Sequence, residues 1–144
     1  MPTSSRVTTH TVLMVEDNPD HTLLVEMAAQ KVDPGVQVRS VRSGEQAMAY
    51  LSGKPPFDDG EEHPRPDLVI LDLLLPGLGG FEVLEWAART EEIRGIPWVV
   101  LSSSVNPGDR ERALGRGAEE FHSKPSDVVE LGETIRTILD RWLM

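Results

Sequence analysis

The chain has 144 residues, of which 39% are hydrophobic and 26% charged, a length and balance that suit one globular domain and exclude a fibrous or disordered chain. Its 24 acidic residues outnumber 14 basic ones, and the resulting net charge of -10 repels a polyphosphate backbone, so nucleic acid is not an expected partner. The absence of cysteine excludes disulfides and thiolate metal sites.

Residues 1–10, MPTSSRVTTH, lack the apolar core of a signal peptide and are expected to form a disordered polar tail ahead of a domain at residues 11–144. The longest apolar runs, Leu68 to Leu71 and Leu73 to Leu75, fall far short of the roughly 18 residues needed to span a bilayer. A soluble, cytoplasmic protein without membrane association is expected.

Short apolar runs then alternate with stretches of helical periodicity, the pattern of crossover units around a parallel sheet. The first run, Val12 to Val15, stops abruptly at Glu16, Asp17 and Asn18. Pro19 opens a helix expected to carry Leu23, Leu24, Met27 and Ala28 on one side. Val36, Val38 and Val41 mark a second strand, after which Ser43 and Gln46 have capping-box spacing ahead of Ala47, Met48, Tyr50 and Leu51.

Residues Ser52 to Pro66 hold four prolines, two glycines and the acids Asp58, Asp59, Glu61 and Glu62, and so form a loop. It carries no aromatic cluster or repeated ligand pattern, which favours a tolerated surface insertion over a binding loop. The third strand, Leu68 to Leu73, is almost continuously apolar, as a strand covered on both faces should be.

Pro76 to Gly80 turns into a helix with Phe81, Val83, Leu84, Trp86 and Ala88 that ends near Arg89. The fourth strand, Trp98 to Leu101, runs into Ser102, Ser103 and Ser104. Asn106 and Pro107 read as the cap and first position of a fourth helix that Gly117 ends. A fifth strand at Glu120 to Ser123 leads to Lys124 and Pro125. Ser126 is then expected to cap a last helix whose Leu131, Ile135, Ile138, Leu139 and Trp142 share one face.

Five strands alternating with five helices predict a doubly wound α/β sheet, whose ligands bind beyond the carboxyl ends of the strands. The residues there are Glu16 and Asp17, Asp72, Ser102 and Lys124, all polar, with Glu16, Asp72 and Ser102 directly after apolar residues. Carboxylates gathered in one crevice repel one another and recruit protons or a cation. Oxygen ligands without His or Cys favour Mg²⁺, shared with a phosphate group. A carboxylate beside such an ion can attack phosphorus while a lysine neutralises charge on the equatorial oxygens, and Asp72 has the position for that attack. Lys124 suits a changing partner, being a compact ammonium, and Ser102 can donate its hydroxyl to the same group. A lone strand-end Asp is usually a cap and a lone Lys-Pro a turn; the weight lies in the combination.

V-E-D-N at 15–18, L-D-L-L-L-P-G-L-G-G at 71–80, L-S-S-S at 101–104 and F-H-S-K-P at 121–125 resemble the response-regulator receiver family of two-component systems over nearly the whole chain. The resemblance implies the flavodoxin-like receiver fold, with strand order 2-1-3-4-5. It implies phosphorylation of Asp72 by a sensor histidine kinase, and Mg²⁺ held by Asp17, Asp72 and the main-chain carbonyl of Leu74, with Glu16 acting through water. Ser102 corresponds to the switch hydroxyl, Lys124 to the conserved-type lysine and Phe121 to the rotating aromatic, for which an ordinary core role is the alternative. Phosphorylation would draw Ser102, let Phe121 turn inward and change the face of the fourth strand, fifth strand and their helices. The protein would self-phosphorylate and autodephosphorylate rather than turn over a separate substrate. Leu74 replaces a frequently polar residue, and Ser102 lacks the methyl of threonine.

The chain is expected to be a single-domain regulator whose output passes through a partner or a homodimer. The surfaces expected for the dimer are the face of the fourth helix, fifth strand and fifth helix, or the C-terminal end, where Trp142 either anchors the dimer or closes the core. The loop before Pro64-Arg65-Pro66-Asp67 and the tail Arg141-Trp142-Leu143 look like the regulators paired with phytochrome-type kinases. Two rivals fit less well. Asp-nucleophile phosphatases look for a second acid two residues after the nucleophile, where this chain has Leu74, and nucleotide binders need phosphate-cradling glycines where it has Glu-Asp-Asn-Pro. His10, His21, His63 and His122 lack ligand spacing and are expected at the surface, with no part in metal binding or phosphotransfer.

Overall fold

The computed structural model describes residues 9–103 and 106–143. Strands β1 (His10–Val15), β2 (Val36–Val41), β3 (Leu68–Leu71), β4 (Trp98–Ser102) and β5 (Glu120–Ser123) alternate with helices α1 (Pro19–Val32), α2 (Gly44–Leu51), α3 (Gly80–Ala88), α4 (Asp109–Gly115) and α5 (Val128–Leu143). The strands pair in parallel in the order β2-β1-β3-β4-β5. This is the flavodoxin-like arrangement, flanked by five helices.

Successive side chains of a strand point to opposite faces, and the apolar runs divide accordingly. Leu13, Val15, Val69, Leu71, Trp98 and Val100 pack with Ala47, Val83, Leu84 and Ala113 of α2, α3 and α4. Val12, Met14, Leu68, Ile70, Val99 and Leu101 pack with Val25, Ala28, Ile135 and Leu139 of α1 and α5. Both faces of β1, β3 and β4 are therefore covered, which explains why their sequences do not alternate with polar residues.

Several element boundaries differ from the sequence reading. β1 begins at His10, whose N–H donates to Gly35 O at 3.2 Å, two residues before the apolar run and at the last position of the expected tail. Residues 1–8 of that tail lie outside the described residues, as does Ser104. On α1 the buried stripe is Val25, Ala28 and Ala29, while Leu23 and Met27 are exposed. Val25, Ala28, Ala29 and Val32 are spaced i, i+3, i+4, i+7, so this set, rather than Leu23 and Met27, defines the inner face.

The box at α2 is offset: Ser43 Oγ accepts from Gln46 N–H at 3.1 Å, but Gln46 Oε1 accepts from Arg42 N–H at 2.7 Å, one residue ahead of the cap. α4 starts at Asp109 rather than Pro107, because Gly108 adopts φ 88°, a left-handed conformation that cannot continue a helix. At its other end Gly117, with φ 106°, completes a Schellman closure in which Gly117 N–H donates to Leu114 O and Ala118 N–H to Ala113 O. α5 is capped by Asp127 and not Ser126: Asp127 Oδ1 accepts from Val129 N–H at 2.8 Å. Trp142 is half-buried against the α1–α5 core.

Residues 52–66 form a loop without helix or strand, tied to the body at several points. Tyr50 Oη donates to Pro64 O at 2.9 Å, Arg39 Nε to Glu62 O at 2.9 Å, and Arg65 to the carbonyls of Glu92 and Arg94. Phe57 and His63 pack on the Tyr50 ring. Burial raises the Tyr50 phenol above its ordinary pKa, partly opposed by the Arg39 charge. Among the described residues no helix is long and apolar enough to cross a membrane.

Candidate phosphorylation site

The crevice at the carboxyl edge of the sheet is assembled by backbone pairing that runs one residue past each strand. Glu16 N–H donates to Val41 O at 3.0 Å, Asp72 N–H to Val15 O at 3.0 Å, and Lys124 N–H to Ser102 O at 2.8 Å. These bonds fix the Cα positions of Glu16, Asp72 and Lys124 before their side chains make any contact. Behind Asp72 the chain turns tightly, and Gly80 lies so close that a Cβ there would sit 2.6 Å from Leu73 Cα. Only glycine permits that approach of α3 to the segment after Asp72.

Asp72 and Glu16 are each 3% exposed, and Ser102 is fully buried. Their oxygens are satisfied in full. Asp72 Oδ1 accepts from the Ser102 hydroxyl and from Leu74 N–H, both at 2.9 Å, while Oδ2 accepts from Lys124 Nζ at 2.9 Å. Glu16 Oε2 accepts from Asn18 N–H at 3.0 Å, and Oε1 accepts from the same Lys124 ammonium. Lys124, with its side chain 4% exposed, thus bridges two buried carboxylates. Such an arrangement repays the desolvation of the charges only because each partner is hydrogen-bonded.

Of the expected site residues, the structure brings together Glu16, Asp72, Ser102 and Lys124, and it leaves Asp17 at the rim. The Asp17 side chain is 53% exposed, with Arg42 at 3.8 Å. Leu74 contributes its N–H to Asp72, and its side chain points into solvent. Phe121 is half-buried against the core on the α2–α4 side, and its carbonyl accepts from Arg110 at 3.2 Å. Among the described residues no three carboxylate or imidazole groups form a preassembled metal cage. The donor chemistry nonetheless suits a hard divalent cation, since the carboxylates of Glu16 and Asp72 meet in the crevice, with that of Asp17 at its rim.

The histidines reach the surface only in part: all four are half-buried. His21 sits in the crevice itself, with Nδ1 2.9 Å from Lys124 Nζ and 3.5 Å from Glu16 Oε1. Its signal was positional. Asn18 caps α1 by accepting from Asp20 N–H, so residue 21 falls in the first turn of a helix that starts directly from the strand-end acids. His122 instead pairs with Glu120 at 2.8 Å. Burial alone would push the Glu120 carboxyl up, but the bonds from His122 and Arg141 outweigh it and hold the pKa below the ordinary value.

A parallel sheet in this order, with acids, a hydroxyl and a lysine at its carboxyl edge, defines the architecture of a receiver domain. The sequence profile of the response regulator receiver domain matches residues 12–136, and the chain belongs to that family. It is 33% identical over 131 residues to the polar-differentiation response regulator DivK of Brucella ovis, an alignment covering 91% of this chain and 97% of DivK. Its fold matches the crystal structure of the phosphorylated cyanobacterial phytochrome response regulator RcpA with a TM-score of 0.88 and 31% identity, covering 94% of this chain and 95% of RcpA. The Mn²⁺-bound response regulator Rcp1 matches with a TM-score of 0.84 and 29% identity, covering 93% and 94%. Receiver domains are signalling proteins, and this one is a member of two-component signalling.

Proposed function

We propose that Asp72 accepts a phosphoryl group from a sensor histidine kinase, and that the chain passes the signal on through a change of conformation. The observation that carries this reading is the pairing of a buried, fully hydrogen-bonded Asp72 with Lys124 and Ser102 at 2.9 Å each. An Asp72 oxygen attacks the phosphorus of a phosphoimidazole in line, the phosphorus–nitrogen bond breaks, and the imidazole leaves with the electron pair and takes up a proton. Lys124, already on Oδ2, neutralises charge on the transferred group. Ser102 can turn its hydroxyl from the carboxylate to a phosphoryl oxygen.

Glu16, Asp17, Asp72 and the Leu74 carbonyl would hold Mg²⁺, which when bound supplies positive charge against the equatorial oxygens. The metal in Rcp1 and the phosphorylated state of RcpA support this assignment by similarity. The similarity to RcpA also supports a phytochrome-type kinase as donor.

The kinase docking surface we infer is the groove between α1 and α5, lined by Leu24, Met27, Val128 and Val129. Met27, Val128 and Val129 are exposed there, and both helices start beside the site, α1 with His21 and α5 shortly after Lys124. Output through self-association on the α4, β5 and α5 face is the route consistent with the Ser102 and Phe121 switch.

The test is incubation with a small phosphodonor and Mg²⁺, followed by acid quench and intact mass. Wild type should gain one phosphoryl group and Asp72→Asn none. Equal labelling of both would overturn the assignment of Asp72. Met27→Glu should slow transfer from a phosphorylated kinase while leaving labelling by the small donor unchanged, and equal slowing of both would remove the groove from the account.

A further inference from the structure

We propose that His21 is a positioning residue for the phosphorylation site: its Nδ1 accepts the third hydrogen of the Lys124 ammonium and fixes Nζ between Asp72 and Glu16. The inference rests on the reading of Asp72 as phosphoacceptor and adds a residue to it. A lysine ammonium has three donors and no lone pair. Here it meets three acceptors: Asp72 Oδ2 at 2.9 Å, Glu16 Oε1, and His21 Nδ1 at 2.9 Å. Because the ammonium can only donate, Nδ1 must present its lone pair, and the ring hydrogen resides on Nε2. The 3.5 Å separation of Nδ1 from Glu16 Oε1 is too long for the imidazole to compete with lysine for that carboxylate.

A lysine on a flexible four-carbon stem is poorly confined by two acceptors and well confined by three. When a phosphoryl group arrives on Asp72, one N–H must leave Oδ2 for a phosphoryl oxygen. With His21 and Glu16 holding the other two, Nζ pivots in place and does not have to find a new position. His21 is itself held by the first turn of α1, whose cap at Asn18 also feeds Glu16 through the Asn18 N–H. The ring is 31% exposed, while the lysine side chain that it contacts is 4% exposed.

Two substitutions separate the hydrogen bond from the shape of the side chain. Asparagine carries an amide oxygen the same number of bonds from Cα as Nδ1, whereas leucine fills similar space without an acceptor. His21→Leu should lower the initial rate of labelling by a small phosphodonor about tenfold, the order expected for one charge-assisted hydrogen bond, while final labelling still reaches one group per chain. His21→Asn should recover most of the rate. In a Lys124→Ala background His21→Leu should cause no further loss, since its effect passes through the lysine.

A wild-type rate in His21→Leu, a His21→Asn as slow as His21→Leu, or additive losses with Lys124→Ala would each overturn the proposal while leaving Asp72 as acceptor untouched. A contact test independent of labelling is the ¹⁵N resonance of His21 Nδ1. It should move on Lys124→Ala while those of His10, His63 and His122 stay in place, and an unmoved His21 resonance would refute the contact. If wild type takes up no phosphoryl group at all, the reading of Asp72 fails first and the role of His21 with it.

Discussion

Replacing Lys124 by methionine keeps the unbranched stem, one atom shorter, and removes the single ammonium that bridges Glu16 and Asp72. Both carboxylates are 3% exposed, so water cannot solvate them without opening the crevice. Removing one partner of a buried ion pair costs roughly 3–5 kcal/mol. Here each carboxylate retains a donor, Leu74 N–H and the Ser102 hydroxyl on Asp72 and Asn18 N–H on Glu16, which places the expected loss near the lower end, about 3 kcal/mol. For a chain of this size that corresponds to a fall in Tm of about 6–12 °C.

The assay is urea unfolding followed by circular dichroism in EDTA, with an expected shift of the midpoint of about 1.5 M at unchanged slope. Two controls locate the cause. Asp72→Asn should recover part of the loss in the Lys124→Met background, because one of the two opposed charges is gone. Saturating Mg²⁺ should stabilise Lys124→Met more than it stabilises wild type, since the cation then replaces the missing positive charge. A Lys124→Met protein that unfolds at the wild-type midpoint in EDTA, or one that Asp72→Asn does not rescue, would refute the electrostatic reasoning.

Ser102→Ala should still accept a phosphoryl group but lose the phosphorylation-dependent change in oligomeric state or kinase affinity, measured by light scattering and binding; a full change in the variant would remove Ser102 from the switch. Glu120→Gln should destabilise the protein at neutral pH by breaking the contacts to His122 and Arg141. Because the folded-state pKa of Glu120 lies below the unfolded value near 4.5, its ionic contribution is present above that pH and is lost as pH falls through the folded pKa. The difference between wild type and variant in a pH series of unfolding midpoints should therefore shrink on acidification, and a constant difference would contradict the assignment.

Much of the site was legible because a strand buried on both faces must be apolar, so a polar residue directly after the run marks the strand end. Glu16, Asp72 and Ser102 announce themselves this way, whereas Lys124 follows the mixed strand Glu120–Ser123, and backbone pairing then leaves little freedom in where Glu16, Asp72 and Lys124 sit. Asp17 did not follow, because the residue after a strand end turns outward and periodicity carries no information on how far. On α1, Leu23 and Met27 satisfy helical spacing as well as Val25 and Ala29 do, and only the position of α5 decides which stripe is buried.

Boundary errors have local causes. Asn106-Pro107 has the composition of a helix start, yet Gly108 adopts a left-handed conformation and delays α4 to Asp109. Ser126 and Asp127 both suit an N-cap, and the register of α5 on the core selects the second. His21 was hidden for a different reason. Its partner Lys124 is 103 residues away, and no spacing rule connects a first-turn histidine to a lysine across the sheet edge.

The chemistry at Asp72 is tested most directly by trapping the acyl phosphate. Borohydride reduces an aspartyl phosphate to homoserine, and peptide mapping by mass spectrometry after labelling with a phosphodonor and Mg²⁺ reads its position. The expected result is homoserine at position 72 and nowhere else, absent from unlabelled protein. Labelled protein with no homoserine at position 72, or with homoserine at another aspartate, would contradict phosphoacceptance by Asp72.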